Sequence, residues 1–388
     1  MRRGVFPALA GQSGRDAFHR VPISTKKIWD AVERVPTNIE GAAHLSRRRS
    51  DSRRFRFAAA FILGLAAVAP LRAETFHLPT ANHAIFEKDG LDRFLVGTIG
   101  KPPASGGFGC VRTDGWQMHE GLDIRCLQRD KRGEPTDPVL ATADGTVAYV
   151  NAKAGLSNYG RYIILRHTID GIEIYSLYGH LSEIRDGVRI GAPVKAGEPI
   201  AIMGHTANTR EGISKDRAHV HFELNLLVND RFESWHKQNA PGQRNDHGMW
   251  NGQNLLGLDP MRVLQEQKTA GASFNLLGHI RTQTELCRVL VRATDFPWVH
   301  RYAALVRANP LAQKERVAGY ELALNFNGIP FELTPRAASE IKSKTKIQLL
   351  SVNEAEYQRN PCRKLVHQRG SRWELTTRGT ELMELLIH

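Results

Sequence analysis

Two histidines one residue apart, His219 and His221 in RAHVHFEL, fall on the same side of any extended chain. Val220 and Phe222 then point the other way, into a core. Side-by-side imidazoles are costly to pack but well suited to holding a metal. With 16 histidines in 388 residues, the pair alone does not define a site. Two other stretches supply what it lacks. MHEGLDI places His119 and Asp123 four residues apart, and YSLYGHLS delivers His180 directly after a glycine. A helix would put His119 and Asp123 on one face. Gly121 between them and the weak helical periodicity around them speak against that. In a straight strand they would be about 13 Å apart. One ion binds each ligand at about 2 Å and could not reach both. If both bind, the chain must bend, and Gly121 permits it.

These residue types meet the needs of a zinc hydrolase. Such a site takes three protein ligands, often histidine and carboxylate, and keeps one position open for water. It also needs a nearby group to move protons. His119, Asp123 and one of the pair His219/His221 could supply the ligands. The other member of the pair, with His180, could do the proton work or stabilise an oxyanion.

The segments that must position these residues read as strands. TVAYVNA, RYIILRH, IEIYSLY and HVHFELNLLV are β-branched or aromatic runs broken by Gly, Asn and Asp. Asp170-Gly171 between two alternating runs signals a hairpin. VKAGEPIAIMG is a further short strand flanked by glycines. With helical periodicity scarce from Gly106 to Leu264, the fold class expected is mainly β, an antiparallel domain. After it, residues 225–258 form a polar insertion containing Trp235 and Trp250, a candidate substrate rim or plain surface loop. LDPMRVLQEQKTAGA reads as a domain end, with a linker at 265–274. Residues 275–388 read as a smaller β-rich C-terminal domain with strands CRVLVRA, YELALNF, KIQLLSV and RWELTT. TPRAASEIK reads as one short helix with Thr334 as its N-cap and Pro335 at its first position.

Composition is that of a globular protein, 41% hydrophobic and 24% charged. The formal charge of +13 suggests a polyanion binder until it is located. Residues 1–73 hold 14 Lys+Arg against 5 Asp+Glu, and the rest of the chain 39 against 35. A surplus of +4 spread over the body gives no footing for nucleic acid. The basic cluster SRRRSDSRRFRF, the apolar run Ala58–Ala69 and Ala73 in PLRAET match a secretory signal peptide over 46–73. The run is shorter than the roughly 20 residues of a membrane span. An exported protein of the periplasm or cell envelope is expected, without stable membrane insertion once the signal is cleaved. Residues 1–45 read as a leader that is disordered or untranslated, with the true start near Leu45. Residues 74–105 read as an extended segment.

Four cysteines in an exported chain suggest disulfides. The pairing expected is Cys110–Cys126 and Cys287–Cys362, one in each candidate domain. The first would close a loop of about 15 residues, worth about 3 kcal/mol on the chain-entropy model.

HEGLD, ADGTVAYV, SNYGRYIILRH, YGHLS, VKAGEPIAIMG and HVHFE occur here in the order seen in one family. Residues 106–264 resemble the lysostaphin/LytM-type zinc metallopeptidases of the duplicated hybrid motif fold. The resemblance implies an antiparallel β domain with Zn2+ in a groove and hydrolysis of peptide bonds in peptidoglycan stems or cross-bridges. It implies His119, Asp123 and His221 as zinc ligands and His180 and His219 as catalytic histidines. Some relatives are non-enzymatic scaffolds or activators of other wall hydrolases; none of the five residues is replaced here, which favours the enzyme. The loop from Gly204 to His219 and the insertion at 225–258 are longer than is usual in the family. His167 and His205 read as structural or surface histidines, Glu223 as a supporting or strand-pairing residue, and Trp116 as packing. Lys195 lacks the flanking methionines of a carrier lysine.

Overall fold

The computed structural model describes residues 75–210 and 212–388. The expected leader, signal peptide and start near Leu45 lie outside the described residues. The strands, in chain order, are β1 Gly109–Arg112, β2 Gln117–His119, β3 Leu122–Arg125, β4 Pro138–Leu140, β5 Gly145–Asn151, β6 Arg161–Ile169, β7 Ile172–Leu181, β8 Glu183–Ile184, β9 Pro193–Val194 and β10 Pro199–Ile202. They continue with β11 His219–Leu227, β12 Leu255–Leu258, β13 Cys287–Val291, β14 Val317–Leu324, β15 Pro330–Ala337, β16 Ile347–Val352, β17 Val366–Arg369 and β18 Arg372–Leu375.

The main sheet runs β12-β11-β7-β6-β5-β9, with β3 added alongside β11, and every pairing in it is antiparallel. The mainly β, antiparallel fold class expected from the sequence is the one observed. Strand alternation divides the sheet into two faces. Val220, Phe222 and Leu224 of β11, Tyr178 of β7 and Ile163 and Leu165 of β6 point into the principal core. Tyr162, Ile164, Tyr175, Leu177 and Leu227 point to the other face. His219, His221 and Glu223 share the parity of Leu227 and stand on that second face. Asp170 and Gly171 join β6 to β7, both at positive φ (50° and 76°), as a two-residue turn of the twist-matched type requires.

The insertion after β11 covers the part of the second face that the histidines leave. It contains a helix, Phe232–Asn239, and returns as β12. The Trp250 ring packs against Tyr175 at 5.3 Å and His247 lies 5.4 Å from the Tyr162 ring. Its aromatics are therefore packing against the sheet, which the polar composition of the segment conceals.

Residues 260–270 form a helix capped by Asp259, whose carboxylate accepts from the amides of Met261 and Arg262. Its Gln267 exchanges two hydrogen bonds of 2.7 Å with the Phe76 backbone. The stretch expected as a linker thus includes a packed helical half, and the segment 74–105 includes helical turns at Ala84–Phe86 and Leu91–Phe94. A second sheet, β15-β14-β13-β16, carries the C-terminal region. One continuous hydrophobic core runs from Phe76 through Phe222 and Val289 to Leu386. The helix expected over TPRAASEIK is instead β15, which pairs with β14 through Thr334↔Glu321 and Leu333↔Leu322 and ends in a short 3-10 turn at Ala338–Glu340. Tertiary pairing overrides the cap signal there. β15 is the edge strand of its sheet, the position in which a proline such as Pro335 is tolerated.

The expected disulfides are corrected. Cys110 on β1 bonds Cys362, 252 residues away, while Cys126 and Cys287 are free and buried. Pairing within each region presupposed separate cores, whereas the common core brings β1 against the turn holding Cys362. The Cys126 thiol instead donates to the Gln128 carbonyl at 3.0 Å and the Asp137 carboxylate at 3.2 Å. Among the described residues, no helix is long and apolar enough to cross a membrane.

Candidate active site

β3 and β11 run antiparallel in a register that sets Asp123 opposite His221 and Arg125 opposite His219. The third residue arrives from β2, and the chain does bend between β2 and β3. Gly121 serves there by lacking a side chain: a Cβ would lie 2.3 Å from the Phe222 carbonyl oxygen of β11. This close approach draws His119 over the sheet. The His119 Nε2 to Asp123 Oδ1 distance is 3.2 Å, His119 Nε2 to His221 Nδ1 3.2 Å, and His221 Nδ1 to Asp123 Oδ1 3.0 Å. All three residues are buried. Ligands held tetrahedrally at about 2 Å from one ion stand roughly 3.3 Å apart. The donor set matches that spacing on all three edges, so its residues fit a single small cation such as zinc.

His180 reaches the same place through an irregularity. In an unbroken β7 it would share the parity of Tyr178 and face the core. The β6–β7 ladder shifts register between Arg161 and Ile163, where β7 carries one extra residue. His180 takes φ of 62°, a conformation unusual outside glycine. The bulge turns the imidazole to the second face, 4.8 Å from the His219 ring and 5.9 Å from that of His221. All five residues singled out in the sequence are thereby brought together.

Hydrogen bonds fix the ring tautomers. His119 Nδ1 donates to the Gly107 carbonyl at 2.7 Å, leaving Nε2 with its lone pair. His180 Nδ1 donates to the Thr206 carbonyl at 2.8 Å, and His219 Nδ1 to that of Arg217 at 2.6 Å. Each leaves Nε2 as the free base. His221 is turned the other way, its Nε2 donating to Glu223 Oε1 at 2.8 Å and its Nδ1 facing Asp123. Burial presses the His180 pKa well below the ordinary imidazole value, and His219 and His221 press it further. Burial also lowers His219, against the pull of Asp123. Both are neutral at physiological pH. Burial would lower His221 too, but its bonds to Asp123 and Glu223 raise it to about 10, so a metal taken up at Nδ1 would displace a proton from that nitrogen. Asp123 would be raised by burial, yet His119 and His219 hold it well below the usual carboxylate range.

Four participants carried too little signal to be read from sequence. Arg112, with a side chain 13% exposed, places Nη2 on Asp123 Oδ2 and 2.9 Å from His119 Nε2. No motif marks it; it arrives through the β1–β2 hairpin. Tyr159 stacks 5.3 Å from the His221 ring. Thr206 and Arg217 act through their carbonyls, which no side-chain pattern encodes. Glu223 holds His221 and also accepts from Asn225 Nδ2 at 2.7 Å, so it supports the site as expected. The five residues open onto a groove of about 640 Å³ that is also lined by Arg112, Arg210 and Arg217.

Other residues weighed in the sequence lie elsewhere. His167 is buried between the Asp144 carbonyl and the Ser176 hydroxyl. His205 bonds Glu134 and the Ile213 carbonyl. Lys195 forms an exposed pair with Asp144. Trp116, expected to pack, is 62% exposed at the end of a hairpin turn.

Residues 117–232 match the model of Peptidase family M23. Similar solved structures include the catalytic domain of lysostaphin from Staphylococcus simulans, at 23% identity over 46% of this chain and 96% of that one, with a TM-score of 0.27. A zinc-containing peptidase from Vibrio cholerae matches at 26% identity over 34% of this chain and 36% of that one, TM-score 0.23. A putative glycyl-glycine endopeptidase LytM from Ruminococcus gnavus matches at 30% identity over 28% and 39%, TM-score 0.22. No curated protein matches the chain.

Proposed function

We propose that this protein is an exported, zinc-dependent endopeptidase that hydrolyses peptide bonds of peptidoglycan, in stem peptides or cross-bridges. The observation that carries the reading is the triangle of donor atoms on His119, Asp123 and His221, with edges of 3.0–3.2 Å. These three would hold zinc. When bound, zinc polarises a scissile carbonyl and lowers the pKa of water towards about 7. His219 and His180, neutral and each with a free Nε2, take up the proton of the attacking water and return it to the leaving amine. A protonated imidazole at either position donates to the developing oxyanion. Glu223 fixes the His221 ring, and the Thr206 and Arg217 carbonyls fix His180 and His219. Residues 106–264 would form the catalytic region and 275–388 an accessory one.

The test is a peptidoglycan digest with metal analysis. New free amines that vanish with a chelator and return with zinc are expected. Stoichiometric zinc without any new amines would point instead to a scaffold or activator of other hydrolases.

A further inference from the structure

Between the back of the HEGLD turn and the C-terminal helix Thr377–Leu386 lies a cavity of about 310 Å³. It is separate from the groove of the metal donors and shares no lining residue with it. Two of its lining residues carry buried hydrogen-bond donors that meet no acceptor among the described residues, Trp235 Nε1 and Arg363 Nε. Trp235 is 7% exposed, on the helix Phe232–Asn239. Arg363 follows the disulfide residue Cys362 in a 3-10 turn and forms no salt bridge among the described residues. Burial lowers its pKa, and the neighbouring Arg378 adds to that against the pull of Glu120, which forms no ion pair with it. A buried donor without a partner is destabilising, and a charged one more so. Two such donors on one cavity wall mark a place for an acceptor. Arg378 adds a second guanidinium, while Glu120 and Glu381 bring two carboxylates to the same lining.

We infer that this cavity is a second binding site, for a small peptide or amino acid with a free carboxylate and an adjacent amino group. The carboxylate accepts from the Arg363 guanidinium and the Trp235 indole, with Arg378 beside it. The amino group faces Glu120 or Glu381. The lining is neutral overall, two guanidiniums against two carboxylates, which suits a zwitterion and disfavours a phosphate dianion. Glu120 adjoins His119 in the chain, so the site shares a wall with the turn that carries a candidate metal donor.

The experiment follows the Trp235 indole N–H by 15N NMR of the full chain, the signal being assigned by its loss in Trp235→Phe. The probes are D-alanyl-D-alanine, D-alanyl-D-alaninamide and inorganic phosphate, each with and without chelator. A saturable shift with D-alanyl-D-alanine, unchanged by chelator and much weaker with D-alanyl-D-alaninamide, is expected. Arg363→Gln should weaken that binding by about tenfold or more, as loss of a charge-assisted bond implies. Should Arg363→Gln fail to fold, Arg378→Ala on the exposed face of the C-terminal helix takes its place, with weaker binding at unchanged melting temperature expected. No shift with any probe would mean that water alone satisfies the donors and would overturn the inference. So would an equal response to phosphate, or undiminished binding in the folded variants. A shift abolished by chelator would assign the response to the metal centre and overturn it as well.

Discussion

Asp123 and His221 face each other directly across two antiparallel strands, His221 Nδ1 lying 3.0 Å from Asp123 Oδ1. Backbone pairing thus sets one edge of the donor triangle, and a slip of one residue would send His221 to the core side. The consequences for the site can be tested residue by residue.

His221 and His219 differ in what they would do, although only Val220 separates them. His221→Ala should lose bound zinc. His219→Ala should keep zinc near stoichiometry and lose about 10²–10⁴-fold in cleavage. Metal analysis beside a peptidoglycan digest separates the two; full zinc and full activity in both variants would refute the assignment. Glu223→Gln should weaken zinc by about 10–100-fold, because it withdraws the carboxylate that orients His221.

Gly121→Ala should damage the site without touching a donor. The added Cβ meets the Phe222 carbonyl oxygen at 2.3 Å, so β2 must lift from β11 and carry His119 with it. A loss of about 1–3 kcal/mol in stability is expected, along with reduced zinc binding. Denaturant unfolding and metal titration read the two effects.

The thiols give a chemical check on the connectivity. Burial and Asp137 raise Cys126 to about 11, and burial raises Cys287 to about 12. At pH 8 roughly one Cys126 in a thousand is thiolate, and fewer of Cys287. Native protein should therefore resist iodoacetamide, and mapping after denaturation should find Cys126 and Cys287 labelled and Cys110 linked to Cys362. Replacing both bonded cysteines by serine should cost about 2–5 kcal/mol.

His167 should make stability fall on the acid side. Burial holds its folded pKa below the ordinary 6.5. Its contribution is complete above the unfolded value and is lost as pH falls through the folded one. In the fold its Nδ1 donates to the Asp144 carbonyl and its Nε2 lies 2.7 Å from the Ser176 hydroxyl. His167→Gln should be less stable at pH 7 and lose less on going below pH 6.5. Melting temperatures across that range decide; parallel curves for the two proteins would exclude the role.

What could be read from the sequence follows the range over which each feature is encoded. His219 and His221 were legible as a pair because strand parity is local. The strands of the main sheet were legible because their β-branched and aromatic runs are bounded by turns. His180 was legible as a residue, but not its route, since the bulge that turns it depends on the β6 partner. Arg112 was invisible because its role exists only once β1 lies beside β2. Thr334-Pro335 looked like a helix start because a cap signal cannot report the edge of a sheet 10 or more residues away in the chain. The cysteine pairing failed for the same reason, as it assumed two cores where the chain builds one.

The link between Cys110 and Cys362 also constrains how the protein can be made. At about 5–20 residues per second, Cys110 leaves the ribosome tens of seconds before its partner exists. During that wait the first thiol it meets is Cys126, and a bond between those two would have to be undone. In an oxidising compartment, the setting that the proposed export would provide, maturation would call for a helper that reshuffles sulfur bonds, or for Cys126 to bury itself beside Asp137 early enough to withdraw from the contest.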